Sequence, residues 1–126
     1  MEILVNEKVS PVYGPFCHAI RANGFLFCSG ITPVNADGIV EHETVQGQTG
    51  KVLENIKAIL EFAGVNINQV VKTTIYLKDL SNYETVNRIY ADFFDSHRPA
   101  RTCIEVSRLP KESLVEMECI AVLLKN

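Results

Sequence analysis

The sequence predicts an α+β domain, a mixed sheet of about six strands carrying two helices on one face. Three observations predict it. Short β-branched stretches with period-two alternation occur at both ends of the chain and twice in its second half. Two longer stretches repeat their apolar residues at helical spacing. The resulting order, β-β-β-α-β-α-β-β with a hairpin at each end, suits a sheet layered against helices. The 126 residues contain no Pro/Gly/Ser-rich linker and are read as a single domain spanning 1–126 with a full core.

Ile3-Leu4-Val5 opens as a short strand, and Ser10-Pro11-Val12-Tyr13-Gly14-Pro15 is a turn-rich loop. Phe16 to Arg21 alternates as a strand, and Asn23-Gly24 is a two-residue hairpin signal leading into Phe25–Gly30. After a loop with turn residues Pro33 and Asp37-Gly38, the period changes at Thr44. Val45, Val52, Ile56, Ile59, Leu60 and Ala63 form one helical stripe, which Gly64 terminates. Gly47 and Gly50 are costly inside a helix, so either the first turn frays there or something packs closely against it. Val70–Leu77 is the clearest strand, and Ser81-Asn82-Tyr83-Glu84 has the form of a capping box. The helix it would start carries Tyr83, Val86, Tyr90, Phe93 and Phe94 on its apolar side. Asn87 lies on or beside this stripe, either as a polar rim residue or as a buried amide in need of a partner.

The chain is organised around Arg98-Pro99-Ala100-Arg101-Thr102-Cys103-Ile104-Glu105-Val106. Proline favours an extended residue before it, and the stretch from Arg101 alternates as a strand, placing Arg101, Cys103 and Glu105 on one face. A guanidinium on a core-like strand needs an acidic partner, which is either an internal ion pair or the carboxylate of a ligand. In the last strand, Leu114 to Leu124, Glu116 and Glu118 interrupt an apolar face. Glu116 stands near the strand start, where water can solvate it. Glu118 stands deeper, as the partner of a cation or as a functional acid.

Charge and composition narrow the function. With 47% apolar and 21% charged residues the chain is globular, and its net charge of −3 comes without a basic stripe, which argues against nucleic-acid binding. Neither a signal peptide nor a membrane span is visible, so a cytoplasmic protein is expected. The cysteines Cys17, Cys28, Cys103 and Cys119 and the histidines His18, His42 and His97 are scattered without metal-ligand spacing. No metal and no disulfide are expected, and His18 reads as structural or exposed. Two helices cover one face of such a sheet, and the other is apolar enough to require a second subunit.

Several segments together resemble the RidA (YjgF-type) family of reactive intermediate deaminases. They are Gly14-Pro15-Phe16, Cys28-Ser29-Gly30, Val52 to Leu60, Val71-Lys72-Thr73-Thr74, Val86-Asn87, Pro99 to Cys103, Leu109-Pro110-Lys111 and Val115 to Ala121. The resemblance implies a chorismate-mutase-like fold and a homotrimeric barrel with ligand sites between subunits. It also implies cofactor-free hydrolysis of enamines and imines such as 2-aminoacrylate and 2-aminocrotonate to 2-keto acids and ammonia. Position by position, Arg101 matches the carboxylate-gripping arginine, Glu118 the acid that positions water, and Cys103 a backbone donor. Phe16, Ser29, Gly30 and Asn87 match further cleft positions. Many deaminase members have tyrosine where Phe16 stands, so one hydrogen bond of the cleft is missing here. A keto-acid-binding sensor or chaperone-like trimer, and more remotely an endoribonuclease, are the competing functions.

Overall fold

The computed structural model describes residues 1–124. Six strands, β1 (Glu2–Leu4), β2 (Ala19–Ala22), β3 (Phe25–Ile31), β4 (Val70–Leu77), β5 (Ala100–Glu105) and β6 (Val115–Val122), form one sheet in the order β1-β2-β3-β6-β4-β5. The sheet is mixed, because β4 and β5 run parallel while the other neighbours are antiparallel. Helices α1 (Val45–Phe62) and α2 (Tyr83–Phe94) pack on one face, burying Leu26, Ile75, Leu77, Val115, Met117 and Ala121 beneath Val52, Ile56, Ile59, Leu60, Val86 and Phe94. The predicted α+β sandwich with two helices on one face is therefore observed. Among the described residues, no helix is long and apolar enough to cross a membrane.

Local chemistry accounts for most boundaries. Thr44 caps α1 by accepting from the Gly47 N–H at 3.1 Å. Gly64 follows α1 with φ +73°, a conformation glycine adopts at low cost. Asn23 and Gly24 both take positive φ in the β2–β3 hairpin, as a type I′ turn requires.

Two departures from the sequence reading have local causes. The strand expected from Phe16 begins at Ala19, because the His18 ring turns inward to hold the N-terminal segment. The Ser81–Glu84 capping box does not form. Asp79 instead accepts from the Ser81 N–H and starts a short 3₁₀ turn, Leu80–Asn82, from which α2 continues without a side-chain cap. Asp79 lies in an extended conformation beside the free amides and reaches them first.

Both helical glycines lie inside α1, and the structure separates their roles. A Cβ at Gly47 would come within 2.8 Å of the His42 Cβ, so this glycine permits a close approach. A Cβ at exposed Gly50 meets nothing within 4 Å. Gly50→Ala is therefore expected to stabilise the fold by about 0.5–1 kcal/mol. Thermal melting checks this, and Gly47→Ala should shift the melting temperature the other way.

His18 is a second local test. It is 3% exposed; its Nδ1 accepts from the Asn6 N–H at 2.9 Å and its Nε2 lies 3.0 Å from Ser10 Oγ. Nδ1 faces a donor, so the neutral ring carries its proton on Nε2 and donates to Ser10. Burial lowers the His18 pKa, against smaller opposing effects of Ser10 and Glu7. Above the unfolded value of about 6.5 both states are neutral, and below it the unfolded chain takes up a proton that the native ring resists. Stability is thus expected to fall as pH drops below about 6.5 and to level off below the lowered native pKa. Denaturant titrations of wild type and His18→Gln across this range measure the contribution, which the variant should lack.

Candidate active site

Arg101 lies on the helix-covered face. In the parallel β4–β5 register it pairs with Thr73, whose hydroxyl is buried 2.7 Å from that of Tyr90 on α2. The guanidinium carbon stands 5.4 Å from the Tyr83 ring centroid and 5.0 Å from that of Tyr90, in cation–π range of both. Arg101 Nη2 donates to Tyr83 Oη at 2.9 Å. Among the described residues, no carboxylate lies within ion-pair distance of it; the pairs that do form are Arg21–Glu2, Lys51–Glu54 and Arg108–Glu112. Of the two partners considered for Arg101, the internal ion pair is absent. Its fork is braced by aromatic rings at the edge of the sheet, and much of its donor capacity is unspent.

Two other expected site residues accompany it. Cys103 is on the same strand face and half-buried; burial raises its thiol pKa, while Arg101 pulls the other way. A thiol held in its protonated form is a poor nucleophile, which suits a backbone role for this residue. Asn87 is one helical turn after Tyr83, on the side of α2 that carries Tyr83 and Tyr90. Among the described residues its buried Oδ1 has no hydrogen-bond partner, so the polar-rim alternative does not describe it.

The second group of site residues lies on the opposite face. At the junction of β3 and β6 the ladder shifts register between Cys28 and Ile31, a bulge that contains Ser29 and Gly30. Beside it is a cavity of about 650 Å³ whose wall includes Phe16, Ser29, Gly30, Tyr13, Lys111 and Glu116. Ser29 Oγ donates to the Cys17 carbonyl at 2.6 Å, tying the segment after Phe16 to the bulge. The Phe16 ring is 52% exposed and forms an open wall rather than a core contact. A Cβ at Gly30 would lie 3.0 Å from Glu116 Oε2, so the glycine lets this carboxylate approach the backbone.

The acid that lines this cavity is Glu116. Glu116 is half-buried rather than solvated; burial raises its pKa above the usual carboxylate range, and neighbouring Glu118 pushes the same way. Glu118 does not line the cavity. Opposite Thr74 in the ladder, it accepts a hydrogen bond from the Tyr76 hydroxyl, whose pKa is pushed up to about 12, chiefly by that bond.

Within one chain the structure therefore places the expected site residues in two groups. Arg101, Cys103 and Asn87 share the helix-facing side of the β5 edge, whereas Phe16, Ser29, Gly30 and Glu116 lie across the sheet. Sequence reasoning missed Tyr83, Tyr13 and Lys111. Tyr83 was indistinguishable from the rest of its apolar stripe. The other two come from loops that only folding brings together: the Lys111 ammonium sits 4.4 Å from the Tyr13 ring centroid.

Comparisons with known proteins agree with this architecture. The sequence profile of the family described as Endoribonuclease L-PSP matches residues 7–123. A RutC family protein of Pyrococcus abyssi is 45% identical over 121 residues, covering 95% of each chain. The 2-iminobutanoate/2-iminopropanoate deaminase of Salmonella typhimurium is 39% identical over 122 residues, covering 94% of this chain and 95% of its own. The crystal structure of Escherichia coli TdcF with bound serine superimposes with a TM-score of 0.92 at 34% identity, over 98% of this chain and 100% of the other. With matches of this extent on the fold described above, the chain belongs to the RidA (YjgF-type) family, the one whose profile is described as Endoribonuclease L-PSP.

Proposed function

We propose that this protein is an enamine/imine deaminase that needs no cofactor and turns 2-aminoacrylate or 2-aminocrotonate into a 2-keto acid and ammonia. The observation that carries this reading is the pair of complementary half-sites: a tyrosine-braced arginine without an acidic partner, and a cavity holding a carboxylate of raised pKa. The name of the Salmonella relative and the serine bound to TdcF point the same way.

Arg101 and Glu116 lie on opposite faces, so they act on one substrate molecule only if different subunits supply them. The uncovered sheet face exposes Phe25, Phe27 and Ile104, apolar surface that favours burial against a second copy. The reading is accordingly a homotrimer with clefts between subunits, in which one protomer provides Arg101, the Cys103 backbone and Asn87 and its neighbour provides Phe16, Ser29, Gly30 and Glu116.

In such a cleft the substrate is held by its carboxylate, its one permanent charge. The enamine tautomerises to the imine, and water adds to C2. The first proton of that water passes through the Glu116 carboxylate to nitrogen, giving a carbinolamine; its hydroxyl proton then takes the same route to the amino group, and as the C–N bond breaks ammonia leaves and the C2 carbonyl forms. A carboxylate whose pKa is raised is a stronger base than an ordinary glutamate, which suits it to take the proton of the attacking water.

Adding the protein to a serine dehydratase reaction tests the proposal. Faster 2-aminoacrylate decay with matching pyruvate formation is the expected result. No acceleration, combined with measurable pyruvate binding, would instead support the keto-acid sensor.

A further inference from the structure

We infer that the Tyr83 hydroxyl is a second carboxylate donor, working beside Arg101 to bind a small 2-oxo or 2-imino acid. The inference rests on the carboxylate-site reading above and adds a residue to it. A guanidinium has no acceptor atom, so in the 2.9 Å contact Arg101 Nη2 donates and Tyr83 Oη accepts. That bond leaves the phenol's own proton uncommitted. Among the described residues, Tyr83 Oη makes no other hydrogen bond, and the tyrosine is 40% exposed at the start of α2. An anion placed against the guanidinium fork therefore meets a third donor whose position Arg101 itself fixes.

Tyr90 provides the contrast. Its ring also stacks against Arg101, but its hydroxyl is occupied by Thr73 Oγ1 at 2.7 Å in a buried pair. Tyr90 is a platform, whereas Tyr83 is a platform with a free donor. Asn87 lies one turn further along α2 on the same side of the helix, and among the described residues its buried Oδ1 has no partner.

The test is Tyr83→Phe, which keeps the ring and its stacking and removes only the hydroxyl. Calorimetric titration of the assembled protein with pyruvate should show Kd raised about tenfold, the scale of losing one hydrogen bond to a charged group. In the coupled dehydratase assay KM should rise similarly while kcat changes less than twofold. Crystals soaked in pyruvate should place Tyr83 Oη within about 3.0 Å of a carboxylate oxygen. An unchanged pyruvate Kd in Tyr83→Phe overturns the inference, even if its melting temperature falls, and so does a wild type that binds no pyruvate. Pyruvate binding weakened by Tyr83→Phe without any turnover would sink the deaminase reading while leaving this residue's role intact.

Discussion

Arg101→Ala is expected to lower kcat/KM for 2-aminoacrylate hydrolysis a few hundred-fold. Truncating one partner of a hydrogen-bonded charge pair costs about 3–4 kcal/mol, because the carboxylate then enters the cleft without a counter-charge. The fold should tolerate the change. Among the described residues Arg101 has no acidic partner to strand, and its two aromatic contacts contribute only about 0.5–1 kcal/mol each at a partly exposed site. Circular dichroism and thermal melting of the variant separate lost binding from lost structure. Arg101→Lys should recover little, since a point charge neither presents a two-pronged donor nor reproduces a guanidinium's contact with the Tyr83 and Tyr90 rings. A lysine variant as active as wild type would reduce the site to simple charge attraction.

The second large effect falls on Glu116. Glu116→Gln keeps the size and polarity of the side chain but ends its proton traffic, so kcat should drop by about 10²–10³ with KM nearly unchanged. Glu118→Gln should be far milder, because Glu118 bonds Tyr76 and does not line the cavity. The reverse ranking would return the acid role to Glu118. The pH profile adds an independent reading. If ionised Glu116 receives the proton of the attacking water, activity declines as pH falls through its pKa. Burial and Glu118 both raise that pKa, so the acid limb should lie above the ordinary glutamate value of about 4.3. The limb should vanish in Glu116→Gln; a limb that persists there belongs to another group.

The elements whose formation depends on neighbouring residues were legible in the sequence. The strand at Val70–Leu77, the α1 stripe with its Thr44 start, and the Asn23-Gly24 turn all lie where period, cap and turn chemistry put them. The mixed sheet with both helices on one face followed from their order. Where two local solutions competed, the sequence was a poorer guide: Asp79 took the amide that a Ser81–Glu84 box would have served, and the buried His18 delayed the start of β2. Arg101 stood out because a guanidinium on an apolar strand demands an explanation at any register.

The choice between Glu116 and Glu118 could not be made that way. Both sit on the same face of β6, and period-two alternation cannot rank them. The ladder shift at Ser29–Gly30 on the neighbouring strand separates them in space, since the cavity beside it is lined by Glu116 and not by Glu118. Nor could alternation show that Arg101 and the glutamates face opposite ways, since it fixes faces only within a strand. The relative facing of two strands depends on their pairing, here Thr73 with Arg101 and Thr74 with Glu118, one residue apart on β4. The sequence by itself determined the elements and singled out most of the candidate residues they hold. Strand register, a property of pairs of segments far apart in the chain, divided those residues between the two faces of the sheet.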